Sequence, residues 1–137
     1  MSVRLKSLGR MRIETNEDKV REKKAIQKFV DRFSGSFKKL SPSDIDYRVF
    51  DKDNNLIAYA EVKPIYKTLS QSYPLPIEAR KVVKVCDKIL NPVIIWACDD
   101  GIIYGRPSEI EGQAVCENNE MIIYYNKQSG TKYIRGY

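Results

Sequence analysis

The sequence predicts a single α+β domain, and three observations predict it. Val20, Ala25, Ile26, Phe29, Val30 and Phe33 recur at helical spacing. Two short runs rich in β-branched and aromatic residues, 45–50 and 56–63, flank a polar turn at 51–55. Residues 93–98 (Val-Ile-Ile-Trp-Ala-Cys) are almost wholly apolar, as befits a strand buried on both faces. A length of 137 residues suits one domain. Within it we distinguish a basic arm (1–15), a core (16–98) and a C-terminal β elaboration (99–137).

Arg4, Lys6, Arg10 and Arg12 make the arm basic. It reads equally as a solvated segment or as one that touches phosphates. The first helix is expected from Asn16 or Glu17 to about Phe33. Asn16 is its expected N-cap, and Glu17 and Asp18 suit the positive end of the helix dipole. Ser34-Gly35-Ser36 breaks it, and 37–40 is a short strand. Ser41-Pro42-Ser43 turns the chain into the hairpin 45–63, which Pro64 ends. Residues 65–73 read as a polar, mobile loop. A second helix is expected over 77–90, with Ala79, Val82, Val83, Cys86 and Leu90 on its apolar face and Lys81, Lys84 and Lys88 on another. Asn91-Pro92 stops it. The strand 93–98 follows, with Trp96 in the core. Asp99-Asp100-Gly101 turns it into a strand at 102–105. Two or three further strands, including 121–125 and 133–135, complete the chain, with turns at Asn118-Asn119 and Gln128-Ser129-Gly130.

Composition removes several classes of chemistry. The chain has no histidine, which excludes His–Cys and His–Ser nucleophile pairs, His-ligated zinc and the HNH nucleases. Cys86, Cys98 and Cys116 are isolated and odd in number, so they support neither a disulfide framework nor a zinc ribbon. They read as small buried hydrophobes. No apolar run approaches the roughly 20 residues needed to span a bilayer, and the first residues carry no signal-peptide core. The expectation is a soluble, cytoplasmic protein without a membrane partner. The net charge of +6 favours a polyanionic partner.

Two motifs fail on mechanism. Asp51, Asp53 and Asn55 match the start of a calcium loop, but the sharp bend needs glycine where Leu56 stands, and the final ligand position is Val62. Gly101-Ile-Ile-Tyr104 suggests a GIY-YIG nuclease, but it lies late in the chain and its order is wrong.

Alternation sends Glu61 and Lys63 to one face of their strand and Val62 to the other. A turn centred near Asp53 sets Asp46 opposite Glu61. Asp44 shares the face of Asp46; the register favours Asp46 and leaves Asp44 beside it. Two adjacent carboxylates repel unless a cation joins them. With a backbone carbonyl and waters they suit Mg²⁺, or Mn²⁺ in its place. Such an ion polarises a phosphodiester, and Lys63 is suited to stabilise charge in the transition state. A bare Glu-x-Lys is common by chance; the composite order, with an acidic helix before and a basic helix after, is more specific.

That order resembles the PD-(D/E)XK nuclease superfamily, over about residues 17–98. Asp46 matches the first acid and Glu61-Val62-Lys63 the Glu-x-Lys, although Pro42-Ser43-Asp44-Ile45-Asp46 departs from a Pro-Asp pair. The resemblance implies a restriction-endonuclease-like αβββαβ core with a central mixed sheet, to which the C-terminal strands are additions. It implies catalysis by Asp46, Glu61 and Lys63. The implied metal ligands are Asp46, Glu61, the Val62 carbonyl and a helix glutamate, Glu22, with Glu17 its rival. Lys67, Arg80, Lys81 and Lys84 become candidates for phosphate contact. The expected activity is Mg²⁺-dependent endonucleolytic cleavage of DNA, selective for a junction, flap or nick, with homodimerisation compatible. The alternative is a nucleic-acid-binding or accessory protein that keeps the fold without catalysis.

Overall fold

A computed structural model describes residues 15–40, 47–87 and 90–137. In chain order the elements are α1 (Asn16–Asp31), β1 (Ser36–Lys39), β2 (Tyr47–Phe50), β3 (Leu56–Pro64), a 3₁₀ turn (Leu69–Gln71), β4 (Leu75–Glu78), α2 (Ala79–Cys86), β5 (Pro92–Ala97), β6 (Gly101–Gly105), β7 (Gly112–Glu117), β8 (Glu120–Tyr125), a second 3₁₀ turn (Lys127–Ser129) and β9 (Lys132–Arg135). The fold is α+β, as expected, with two helices and a mixed central sheet among the described residues. No helix there is long and apolar enough to cross a membrane.

The central sheet has the order β1-β2-β3-β5-β6-β9. Its neighbours are antiparallel except β3 and β5, which are parallel. Alternation along β3 divides the interior in two. Ala58, Ala60 and Val62 point toward α1 and pack with Ala25, Ile26 and Val30. On the other face, Ile94 and Trp96 of β5 pack with Leu75 and Ile77 of β4. The Trp96 indole N–H donates to the Pro76 carbonyl at 2.9 Å, so its one polar atom is satisfied in the core. All of β5 beyond Pro92 is buried, as its sequence predicts.

Helix α1 begins at Asn16, as expected, but its cap lies one residue earlier. Thr15, rather than Asn16, is the N-cap. Its Oγ1 accepts from the Asp18 N–H at 3.1 Å, and an Asp18 carboxylate oxygen accepts from the Thr15 N–H at 3.1 Å. Aspartate takes the reciprocal role that glutamate more often fills in a capping box.

The second helix departs further from expectation. Leu75 and Ile77 alternate into the core and pair with Tyr125 and Ile123 of β8, so residues expected to begin the helix form β4 instead. The helix then starts at Ala79 and takes a different phase. Val85 is its buried residue and Val82 packs partly against the core, whereas Val83 is 60% exposed and Cys86 is also exposed. Lys81 lies one turn before Val85, on the sheet-facing side.

The segment 65–73 is held in place rather than mobile. Ile65, Leu69 and Ser72 are buried. The Leu69 N–H donates to Asp100 Oδ1 at 2.7 Å, and the Asp99 N–H donates to the Lys67 carbonyl at 2.9 Å. The C-terminal strands divide their roles. β9 extends the central sheet, while β7 and β8 join β4 in a three-stranded sheet of order β4-β8-β7. The expected Asn118-Asn119 turn closes the β7–β8 hairpin with both residues at positive φ, 49° and 64°, a conformation asparagine tolerates well.

Candidate functional site

Strand β3 builds the site. It lies inside the sheet, with β2 on one side and β5 on the other, so its side-chain directions are set by two ladders. Glu61 is level with Ile94 and Lys63 with Trp96, which turns both toward α2. Glu61 is 4% exposed. Its Oε2 lies 3.7 Å from Lys81 Nζ. Lys81, expected from the sequence only as a phosphate contact, thus stands beside Glu61, and the shifted phase of α2 brings it there.

Lys63 meets a carboxylate that the sequence reading passed over. Its Nζ donates to Glu78 Oε1 at 3.1 Å. Glu78 ends β4 and is the N-cap residue of α2. Its buried position raises the carboxyl's pKa, but the ammonium of Lys63, and then that of Lys81, outweighs this and holds it below the ordinary value. Arg80 continues the chain of charge outward, with its guanidinium 3.9 Å from Glu78 and 3.2 Å from Glu120 of β8. The signal for Glu78 was the alternation of Leu75 and Ile77, which identifies a strand ending at Glu78. The helical reading of 77–90 concealed it.

Asp46, with Asp44, lies outside the described residues. The ladder beside it is described: Tyr47 pairs with Ala60, the residue before Glu61. On its other side Tyr47 pairs with Lys39 of β1. Lys39 Nζ lies 4.9 Å from the Tyr47 ring centroid and 3.6 Å from Glu22 Oε1. Glu22, 5% exposed, therefore approaches the beginning of β2 from the α1 side, while Glu61 approaches from the α2 side. Its rival Glu17 is exposed in the first turn of α1. Val62 directs its side chain into the α1 core and is level with Ile95 of β5. Among the described residues, no three acidic or cysteine side chains are grouped to hold a metal ion.

The remaining candidates differ in accessibility. Lys67 and Lys84 are exposed. Arg80 is 63% exposed yet already faces two carboxylates. The cysteines divide as well: Cys98 is buried, its thiol pushed up to about 11 chiefly by burial, while Cys86 and Cys116 are exposed, contrary to the expectation that all three are core residues. The former calcium-loop candidate is closed by its own backbone, since Asp51 Oδ1 accepts from the N–H groups of Asp53 and Asn55, each at 2.9 Å.

A second cluster fixes the end of the sheet nearest Lys63. Arg21 pairs with Asp99 at 2.9 Å and donates to the carbonyls of Ile65 and Ala97 at 3.2 and 3.5 Å. Its guanidinium stacks 4.3 Å from the Tyr66 ring centroid. The Tyr66 hydroxyl donates to Asp18. This ties α1 to the segment that leaves β3, and so steadies the strand carrying Glu61 and Lys63.

Comparison of the chain with protein-family models, curated proteins and solved structures finds no match.

Proposed function

We propose that the protein is a metal-dependent endonuclease acting on DNA, with a PD-(D/E)XK-type site on β3. The observation that carries the reading is the buried Glu61 set beside Lys63 on one face of an interior strand, with Lys81 of α2 at 3.7 Å from the carboxylate. The order of α1, three strands, α2 and β5, with β3 and β5 parallel, supports the restriction-endonuclease-like core. β4 is an insertion between the third strand and α2.

The donors fit a hard divalent cation. Glu61 and Asp46 would hold Mg²⁺ through carboxylate oxygens, with the Val62 carbonyl beside them, while Glu22 stands on the α1 face of the sheet beside Lys39. When bound, the ion supplies Lewis acidity to the scissile phosphodiester. Lys63, oriented by its pairing with Glu78, stabilises the negative charge that grows on the phosphoryl oxygens. Glu78 acts through Lys63 and is a positioning residue. Lys81 and Lys84, with Lys67 beyond β3, contact the flanking phosphates.

The test is cleavage of duplex, nicked, branched and single-stranded DNA with Mg²⁺ or Mn²⁺. Wild-type protein is expected to cut at least one substrate, while Glu61→Gln and Lys63→Met proteins with native circular dichroism do not. A wild-type protein inert on all of these, and on RNA, overturns the proposal. One observation favours a non-catalytic nucleic-acid-binding reading: Glu61 and Lys63 each already face an opposite charge. Salt-sensitive binding without cleavage would select it.

A further inference from the structure

A cavity of about 470 Å³ opens at the other end of the central sheet, where β3 begins and α1 ends. It lies on the α1 face, away from Glu61 and Lys63. Its volume is in the range of small-molecule sites. Its inner wall is aromatic: Phe29 and Tyr104 meet edge to face at 5.4 Å. Its rim is cationic. Arg32, in the C-cap position of α1, holds its guanidinium 4.8 Å from the Tyr104 ring centroid. Lys132 is the cross-strand partner of Tyr104, so it stands on the same face of the sheet. Arg106 follows β6 and is exposed. Glu109 is the one carboxylate in the lining, 3.8 Å from Arg106. Three cations thus stand against a single acid around an apolar floor.

We propose that this cavity binds a nucleoside monophosphate group, either a free nucleotide or the phosphorylated end of a strand. A purely apolar ligand would leave the cationic rim unused, and a simple inorganic anion would leave the aromatic wall uncovered. A nucleotide meets both. Its base lies against the guanidinium plane of Arg32 and the aromatic wall, an arrangement every base permits. Its phosphate receives charge-assisted hydrogen bonds from Lys132 and Arg106. The site requires neither a metal ion nor the residues of β3 that carry the proposed cleavage, so each reading fails or stands alone.

Calorimetric titration of the full chain, without metal, tests it with four probes: AMP, adenosine, inorganic phosphate and a short oligodeoxynucleotide bearing a terminal phosphate. AMP is expected to bind at least about tenfold more tightly than adenosine or phosphate, because a charge-assisted hydrogen bond is worth roughly that factor or more. Arg32→Ala and Lys132→Ala, both at exposed positions, should each weaken AMP by about tenfold, while Lys19→Ala, at an exposed position outside the cavity, leaves it unchanged. Oligonucleotide binding lost in the same two variants assigns the site to strand ends; AMP binding alone assigns it to free nucleotide. No AMP binding at millimolar concentration, or binding indifferent to Arg32→Ala and Lys132→Ala in proteins with unchanged thermal unfolding, overturns the proposal.

Discussion

Glu78→Gln removes one charge from the pair that orients Lys63 and retains an oxygen to accept its hydrogen bond. The Lys63–Glu78 contact is 3.1 Å, with side-chain exposures of 26% and 13%. A hydrogen bond to a charged group contributes ~1.5–3 kcal/mol, and solvent screening at the partly exposed lysine reduces this to about 1 kcal/mol. Arg80, 63% exposed at 3.9 Å, adds little. The expected loss is therefore about 1 kcal/mol at neutral pH, or about 3 °C in melting temperature for a domain of this size. The pH dependence has a definite sign. The folded carboxyl titrates below its ordinary 4.5, so its contribution is fully present above that value and is lost as pH falls through the folded pKa. Urea denaturation should show a constant gap between wild type and Glu78→Gln from neutral pH to roughly pH 5, closing below that. A double-mutant cycle with Lys63→Met should recover about 1 kcal/mol of coupling. A Glu78→Gln protein as stable as wild type at neutral pH, or a gap unchanged in acid, would refute the reasoning.

Arg21→Ala should cost about 2 kcal/mol by removing the Asp99 pair and two carbonyl contacts, and hydrogen exchange should show faster opening over 65–72. At Gly130, φ is +105° and a Cβ would lie 2.9 Å from the Glu109 carbonyl oxygen; Gly130→Ala should cost about 1–3 kcal/mol. Gly136 has a φ of +83° but nothing within 4 Å of that position, so Gly136→Ala should cost less in the same thermal assay. Trp96→Phe leaves the Pro76 carbonyl without its 2.9 Å donor and opens space beside Tyr125, for a loss of about 1–3 kcal/mol; equal stability would count against the described packing.

Local patterns were legible where one physical signal dominated. Most of the apolar stripe of α1 emerges, since Ala25, Ile26, Phe29 and Val30 all bury, whereas Val20, at its N-terminal end, is 59% exposed and Phe33 only partly buried. The β3 register also follows from sequence: alternation sends Glu61 and Lys63 one way, and the Tyr47–Ala60 pair agrees with a hairpin turned at 51–55. Legibility failed at residues 75–86. Leu75, Ile77, Val82, Val83 and Val85 satisfy a strand period and a helix period over too few residues to separate them. The choice fell to β8, which is about 45 residues later in the chain and supplies the ladder for β4. With the helix started late, its lysines rotated, and Lys81 rather than an exposed position came to face Glu61.

By itself, then, the sequence determined an α+β fold, the first helix, the charged face of β3 and the exclusion of histidine chemistry. These depend on composition and on contacts between near neighbours. Tertiary structure alone decided that Glu78 orients Lys63, that Lys81 reaches Glu61, and that Arg32, Arg106 and Lys132 ring one aromatic cavity. Each of these joins residues far apart in the chain, and their meeting depends on strand order and helix phase, which cross-strand pairing sets and local propensity does not.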